Sequence, residues 1–460
     1  MIIMHLNYKK VYFSGIGGIG VSALAKMFYG EGVKVLGSDL ARSDITDDLE
    51  RLGATIHYKQ IKKNIDKDIN LLIYSPAVPE TNPERVAATE LGIEQKSYPE
   101  FLGELSLMID TIAVSGTNGK STTTAMLASI LIEAKVDPMV IIGSKMGKIK
   151  GNFHAGKGNK FVLEACEYRG HMLHLNPGAI ILTNIEEDHL DYFKDLAHII
   201  ATFQQYISRL NGINQILVIN NDDLNTTQLN LPKCQIVTYA INETADVRAV
   251  NIQVEPGRQR FSLEYQGVNL GKIDLQVPGK FNIYNALAAV AYCLKTGIEF
   301  ECIRKSLKAY TGLWRRFEKI YDEEVTIISD YAHHPTAVKA TIQAVKDFYP
   351  GRRVVAVFQP HQHDRTKKLF NDFIASLREA DRVIVSEIFD VAGREEACLS
   401  VSSADLVKKL NEAKTESSVY AKDLADTLTL VNEAIIAGDV VLVMGAGDIY
   451  TISNKIKLKH

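Results

Sequence analysis

The sequence predicts an α/β protein made of three successive units, each a parallel sheet covered by helices on both faces. Short runs rich in Val and Ile alternate with longer stretches of helical period, and this alternation recurs three times. The chain has 460 residues, which at roughly 150 residues per domain also implies about three domains. Gly-rich turns follow two of the apolar runs directly, as they do where a strand feeds a helix.

In the first unit the strands fall at Lys10 to Ser14, Val33 to Gly37 and Asn70 to Tyr74, with helices over Ile19 to Gly30 and Asp44 to Leu52. The second places strands at Thr111 to Val114, Lys160 to Glu164, Ala179 to Thr183 and Gln215 to Ile219. Residues from about Ala240 to Gln276 alternate polar and apolar around Pro256-Gly257 and read as an antiparallel β insertion. The third unit takes strands at Thr326 to Ser329, Arg353 to Phe358, Arg382 to Ser386 and Val440 to Met444. Its helices are expected over Thr336 to Phe348, Thr366 to Ala380, Ala404 to Asn411 and Leu424 to Ala437. Pro99 to Ser106 and Gly312 to Phe317 are the candidate joints.

Composition excludes several classes. At 46% hydrophobic and 23% charged residues, fibrous and broadly disordered chains are ruled out. Lys and Arg number 52 against 55 Asp and Glu, so a net charge of −3 supplies no global field for nucleic acid or anionic membranes. Cys166, Cys234, Cys293, Cys302 and Cys398 are odd in number and never form a C-x-x-C pair, which indicates neither a disulfide framework nor a zinc site. Met1 to Lys10 lacks the charged and apolar regions of a leader, and no run reaches the ~18 apolar residues of a membrane helix. A cytoplasmic enzyme acting on small molecules, with no nucleic-acid or membrane partner, is the expectation.

Four clusters carry chemistry. Gly15-Ile16-Gly17-Gly18-Ile19-Gly20 joins a strand to a helix, and Asp39 closes the next strand. Glycines let a backbone approach a diphosphate, free N–H groups receive its charge, and the acid can reach a ribose hydroxyl, a Rossmann-like arrangement. Gly116-Thr117-Asn118-Gly119-Lys120-Ser121-Thr122 is a shortened P-loop with Val114 where the usual pattern has glycine. Its amides can cradle phosphates, Lys120 can neutralise them, and Ser121 or Thr122 can ligate Mg²⁺. Glu164-Ala165-Cys166-Glu167 and Glu186-Glu187-Asp188-His189-Leu190-Asp191 end the neighbouring runs, at the sheet edge where the P-loop also lies, and suit a hard cation beside ATP. Cys166 reads as a small packing residue rather than a nucleophile. Asp330-Tyr331-Ala332-His333-His334-Pro335 and Phe358 to Thr366 end strands of the third unit, where Arg365 could pair with a substrate carboxylate.

Together these residues resemble the Mur ligase family, ATP-dependent amide-forming enzymes of peptidoglycan assembly, over nearly the full chain. The P-loop variant is shared across that superfamily. Gly15 to Gly20, Leu163 to Arg169, Thr183-Asn184-Ile185 with Asp188-His189, Asp330 to Pro335 and Phe358 to Thr366 resemble the members that join L-alanine to the carboxylate of UDP-N-acetylmuramate. The resemblance implies three domains: a Rossmann-like one over 1–105 holding the UDP-sugar, a P-loop ATPase-like one over 106–313 binding ATP and Mg²⁺, and a Rossmann-like one over 314–460 that closes over both. It assigns Gly15, Gly17, Gly18, Gly20, Asp39 and Ser75 to the UDP-sugar, and Gly116 to Thr122 with Asn282, Asn285, Arg316 and Asp330 to ATP. Lys120, Glu164 and His189 become catalytic, with Ser121, Glu164 and His189 on the metal. Tyr331, His333, His361 and Arg365 would line the amino-acid pocket, while Gln362 and Asp364 depart from the family pattern there. Three other readings stand beside this one: a ligase that reattaches a recycled tripeptide, a nicotinamide-dependent oxidoreductase resting on Gly15 to Gly20 alone, and an ATP-switched binding protein.

Overall fold

A computed structural model describes residues 8–189, 192–390, 401–413 and 417–458. Residues 1–7, Leu190, Asp191 and Cys398 lie outside the described residues. The chain forms two compact units, the first over 1–250, 263–271 and 284–307, the second over 251–262, 272–283 and 308–460.

Unit one begins with β1 (Lys10–Ser14), α1 (Ile19–Gly30), β2 (Lys34–Ser38), α2 (Asp44–Leu52), β3 (Thr55–His57), β4 (Leu71–Tyr74), α3 (Pro83–Glu90), β5 (Glu94–Ser97) and α4 (Tyr98–Met108). These strands form a parallel five-stranded sheet ordered β3-β2-β1-β4-β5. The order reverses at β1, the kind of switch point at which α/β sheets open a crevice for ligands. Two short strands, β3 and β5, had no sequence signal because Thr55-Ile56-His57 and Glu94 to Ser97 are too short and too polar to show one.

The chain continues through β6 (Asp110–Ser115), α5 (Lys120–Glu133), β7 (Met139–Met146), β8 (Gly151–His154), β9 (Lys160–Ala165), β10 (Ala179–Leu182), α6 (Leu196–Ile207), β11 (Ile216–Asn220) and β12 (Gln235–Ala240). These strands lie in the order β12-β11-β10-β6-β9-β7-β8. Ile112, Ala113 and Val114 of β6 and all of β10 are buried, as central parallel strands must be. Helix α4 docks on this layer, where a Cβ at Gly103 would lie 2.6 Å from the His174 carbonyl. Asn152 on β8 is buried and donates to the Ile19 carbonyl and to Ser22 of α1.

The expected insertion is three strands, β13 (Val247–Glu255), β14 (Arg258–Tyr265) and β15 (Val268–Leu275), reversed at Pro256-Gly257 and Gln266-Gly267. Its first strand pairs in parallel with β12, through Tyr239 with Val247 and Ala240 with Arg248, so only the following hairpins are antiparallel. Helices α7 (Lys280–Lys295) and α8 (Phe300–Lys308) follow.

Unit two contains β16 (Glu318–Asp322), β17 (Thr326–Asp330), α9 (Pro335–Phe348), β18 (Val354–Phe358), α10 (His363–Lys368), α11 (Phe370–Leu377), β19 (Arg382–Ser386), α12 (Ser403–Ala413), β20 (Ser418–Ala421), α13 (Leu424–Ala434) and β21 (Val440–Met444). Its sheet runs β16-β17-β21-β18-β19-β20, parallel except for β16. The single helix expected over 366–380 is two, because Leu369 at φ −106° and ψ 21° opens the ladder between α10 and α11. Among the described residues no helix is long and apolar enough to cross a membrane.

Candidate active site

Two helices of unit one start at glycines without a side-chain cap or an acid in the first turn: α1 at Gly18 and α5 at Gly119. Their neighbours α2, α3, α4 and α6 are capped by Ser43, Asn82, Ser97 and Asp195. An uncapped N-terminus keeps its amides available for an anion.

At the first loop, the Gly15 and Ile16 amides both donate to the Ser38 carbonyl at 2.9 Å. Gly17 N–H donates to Asp39 Oδ2 at 2.8 Å and Leu40 N–H to Oδ1 at 2.8 Å. Asp39 therefore fastens the loop itself, a role the sequence did not show. Glycine is required at 15, where φ is +78° and a Cβ would press on Ser75, and at 20, where it would meet the Tyr98 ring at 2.6 Å. Gly18 has no neighbour that close.

The second loop carries charge. Lys120 Nζ donates to the Gly116 and Thr117 carbonyls at 2.6 and 3.0 Å and to Glu167 Oε2 at 2.8 Å. Burial opposes its charge, but Glu167 outweighs that and holds its pKa above the ordinary lysine value. Burial likewise opposes the charge of Glu167, yet Lys120 and His189 keep the carboxyl below its usual range. His189 Nε2 lies 3.5 Å from Glu167 Oε1, and the pairing raises the imidazole against the desolvation that would lower it. His189 itself sits at φ +53° with its ring 4.8 Å from that of Tyr168. Such backbone positions are costly for a non-glycine residue and cluster at functional sites. Ser121 Oγ donates to Glu164 Oε2 at 2.9 Å, and the Gly143 amide to Oε1 at 2.5 Å.

The segment after β10 braces this loop. Thr117 N–H donates to the Asn184 carbonyl, Asn118 N–H to Asn184 Oδ1, and Thr183 Oγ1 to the Asn118 carbonyl, at 2.9, 2.9 and 2.6 Å. A Cβ at Gly116 would overlap Thr183, and one at Gly119 would overlap Asn285. Asn285 also accepts from Thr123 Oγ1 at 3.3 Å, so the second asparagine of its motif abuts the P-loop. Asn282 Nδ2 donates to the Pro278 carbonyl at the start of α7. Cys166 is exposed rather than packed, correcting the sequence expectation. It lies just past the end of β9, beyond the run of buried residues Phe161 to Leu163.

Among the described residues no three His, Cys, Asp or Glu side chains converge as a metal set. Mg²⁺ needs less, since it keeps waters and takes one or two carboxylates plus phosphate oxygens. The donors here fit: Ser121 Oγ and Glu164 are adjacent, and the buried Glu167 Oε1 makes no hydrogen bond among the described residues, its contact being the looser His189 ion pair at 3.5 Å. His189 is brought to Glu167.

In unit two, Asp330 accepts from the Phe317 and Ala332 amides at 2.7 and 2.8 Å, and burial raises its pKa. Arg316 is exposed, 4.7 Å over the Tyr331 ring. Its neighbour Arg315 is the buried one, donating to the Gly445 and Gly447 carbonyls. Tyr331, His333 and His361 form a chain of ring contacts at 5.3 and 6.2 Å, and Phe389 stacks on His361. Arg365 has no ion-pair or side-chain hydrogen-bond partner among the described residues, and Gln362, beginning α10, stands at φ +70°.

Switch-point sheet, P-loop with its lysine paired to a buried carboxylate, and second α/β unit define a nucleotide-dependent enzyme. Three domain profiles match the chain: the Mur ligase family catalytic domain over 10–108, the Mur ligase middle domain over 114–293, and the Mur ligase glutamate ligase domain over 315–447. The chain is 38% identical over 443 residues to a UDP-N-acetylmuramate--L-alanine ligase of Aquifex aeolicus, covering 96% of this chain and 95% of that protein. It is 38% identical over 452 residues to the protein of the same name from Clostridium novyi, at 97% and 96% coverage. Among solved structures, the UDP-N-acetylmuramate-alanine ligase MurC of Thermotoga maritima superposes with a TM-score of 0.84 at 27% identity, covering 97% of this chain and 98% of that one. A murein peptide ligase of Psychrobacter arcticus, at 22% identity, TM-score 0.70 and coverage of 97% and 98%, shares the fold. The chain belongs to the Mur ligase family, enzymes that form amide bonds at the expense of ATP.

Proposed function

We propose that the chain joins L-alanine to the lactyl carboxylate of UDP-N-acetylmuramate, consuming ATP, in the cytoplasm. The observation that carries this reading is the 38% identity, spread over 96% of the chain, to a protein named for that reaction. Residues 1–105 would hold the sugar nucleotide, with its diphosphate on the loop of Gly15, Gly17, Gly18 and Gly20 at the start of α1 and its uridine near Asp39 and Ser75. Residues 106–313 would bind ATP through Gly116 to Thr122, with Asn282 and Asn285 toward adenine. Residues 314–460 would bring Arg316 and Asp330 to the nucleotide and Tyr331, His333, His361 and Arg365 to alanine.

A carboxylate is a poor acylating agent, so its oxygen first attacks the γ-phosphorus of ATP, ADP departs, and an acyl phosphate forms. The neutral amine of alanine then attacks the carbonyl carbon, loses a proton, and expels phosphate. Lys120 would exchange a loop carbonyl for phosphate oxygens and neutralise charge in both steps. Glu167 keeps that lysine charged, and His189 lies against the same carboxylate. Ser121, Glu164 and His189 would hold Mg²⁺, which would supply positive charge to the transferring phosphoryl group. Arg365 would fork the alanine carboxylate.

Phosphate release from ATP, measured with UDP-N-acetylmuramate plus single amino acids, a tripeptide, or neither, tests the reading. Release with alanine supports it. Release with the tripeptide alone replaces it with the recycling ligase, and ATP binding without turnover replaces it with the switched binder.

A further inference from the structure

Glu84 lies wholly buried at the second position of α3, where the helix N-terminus favours a carboxylate, and among the described residues no cation is bonded to it. Oε1 accepts from Tyr12 Oη and Asn64 Nδ2, both at 2.7 Å. Oε2 accepts from Ser14 Oγ and Ser38 Oγ, both at 2.6 Å. Four donors from three segments thus fill the acceptor positions of one side chain. Tyr12 and Ser14 reach it together because residues two apart on β1 share a face, and Ser38 because it pairs with Ser14 in register. Gln60 closes the ring, donating to Ser38 Oγ at 3.3 Å and accepting from Asn82 Nδ2 at 2.7 Å.

The two serines matter because each leads directly into the glycine loop or its anchor. Ser14 is the last residue before the glycine loop. The Ser38 carbonyl takes the loop's first two amides, and Asp39, the next residue, takes the third. A shift at Ser38 therefore moves the first three amides of the loop. We propose that Glu84 is the positioning residue of the sugar-nucleotide site, fixing the ends of β1 and β2 so that the uncapped start of α1 meets the diphosphate in one geometry. This rests on the reading that residues 15–20 hold the sugar nucleotide.

Calorimetry with uridine diphosphate, beside steady-state kinetics, tests it. In Ser38→Ala and Glu84→Ala, affinity for uridine diphosphate and the KM for the sugar nucleotide should worsen about tenfold or more, the scale of losing a supporting hydrogen bond behind a binding group. The KM for ATP and kcat at saturation should stay within about twofold, because the P-loop shares none of these bonds. Glu84→Gln should recover much of the loss. Its amide oxygen can still accept from Tyr12 and Asn64, and the serine hydroxyls can turn to accept from its NH₂. If Glu84→Ala fails to fold, Ser38→Ala, which removes one hydroxyl, decides alone. Unchanged affinity in the folded variants, or an equal rise in the KM for ATP, overturns the positioning role. Wild-type protein that binds no uridine diphosphate overturns instead the assignment of the loop beneath it.

Discussion

The two glycine loops of unit one begin helices in the same uncapped way and differ in everything around them. Loop 15–20 is held by neutral or acceptor groups: the Ser38 carbonyl, Asp39 and, behind them, the Glu84 network. No lysine enters its hydrogen bonding among the described residues. Loop 116–119 is followed at once by Lys120, which is paired with Glu167, which in turn faces His189, while Ser121 is bonded to Glu164. A site that only holds an anion can rely on amides, whose partial charges suffice for a diphosphate that does not change. Where a phosphoryl group is moved, charge migrates during the reaction, and full charges placed in advance are what stabilise it. Glycine at the cap position costs only about a few tenths of a kcal/mol relative to a side-chain cap, so both helix starts stay open to an anion at little expense.

The comparison breaks most visibly at Lys120. Lys120→Ala should lower kcat at least ~10²-fold with the fold intact, the scale of removing one preorganised charge. A folded variant with near-normal turnover would mean that the second loop only binds. Gly17→Val should act on the first loop alone. A Cβ there already lies 2.8 Å from Asp39 Oδ2 and 3.2 Å from Thr46 Cγ2, so the larger side chain must displace the acid that holds the loop. Affinity for UDP-N-acetylmuramate should fall by about tenfold or more, while ATP binding by calorimetry stays unchanged. The opposite pattern would exchange the two loops' ligands.

Arg365→Ala serves as a control outside both loops. It should raise the KM for alanine about tenfold, the scale of a lost charge-assisted hydrogen bond, and leave both nucleotides' KM values alone. Arg365→Lys should recover part of this, because an ammonium lacks the fork. An unaltered alanine dependence would assign the carboxylate to another group. Glu164→Gln should shift the Mg²⁺ concentration for half-maximal rate upward several-fold, without moving the KM for alanine. A change in the alanine KM alone would separate Glu164 from the metal.

The strand ends and their motifs were legible because a parallel sheet gathers every strand's C-terminal edge on one side, so residues after apolar runs meet there. Lys120, Ser121 and Glu164 were brought together on that logic. Glu84 was not legible: after Asn82-Pro83 it reads as an ordinary acid in a helix's first turn, and its four donors are contributed by residues 12, 14, 38 and 64. Glu167 stood inside a motif that was noticed, but only the fold shows that it, three residues past Glu164, faces the P-loop lysine. Of the adjacent Arg315 and Arg316, nothing in sequence says which is buried. Positive φ at Arg315 turns it in, against the carbonyls of Gly445 and Gly447.

The smallest expected effect tests the finest point of the comparison, whether Asp39 serves its loop or the ligand. The sequence places it at a ribose or uridine, whereas the structure engages both its oxygens with the amides of Gly17 and Leu40. Asp39→Asn keeps one oxygen that can accept from Gly17 N–H and removes the charge. The lost charge weakens that hydrogen bond, yet it also relieves repulsion of a diphosphate arriving on neighbouring amides. The two effects oppose each other, so the KM for UDP-N-acetylmuramate should change by no more than about threefold. Asp39→Ala leaves both amides without an acceptor, and there the KM should rise about tenfold. A wide gap between Asn and Ala therefore assigns Asp39 to the loop. If Asn is as damaging as Ala, the carboxylate itself touches the sugar nucleotide, and the first loop uses a full charge after all.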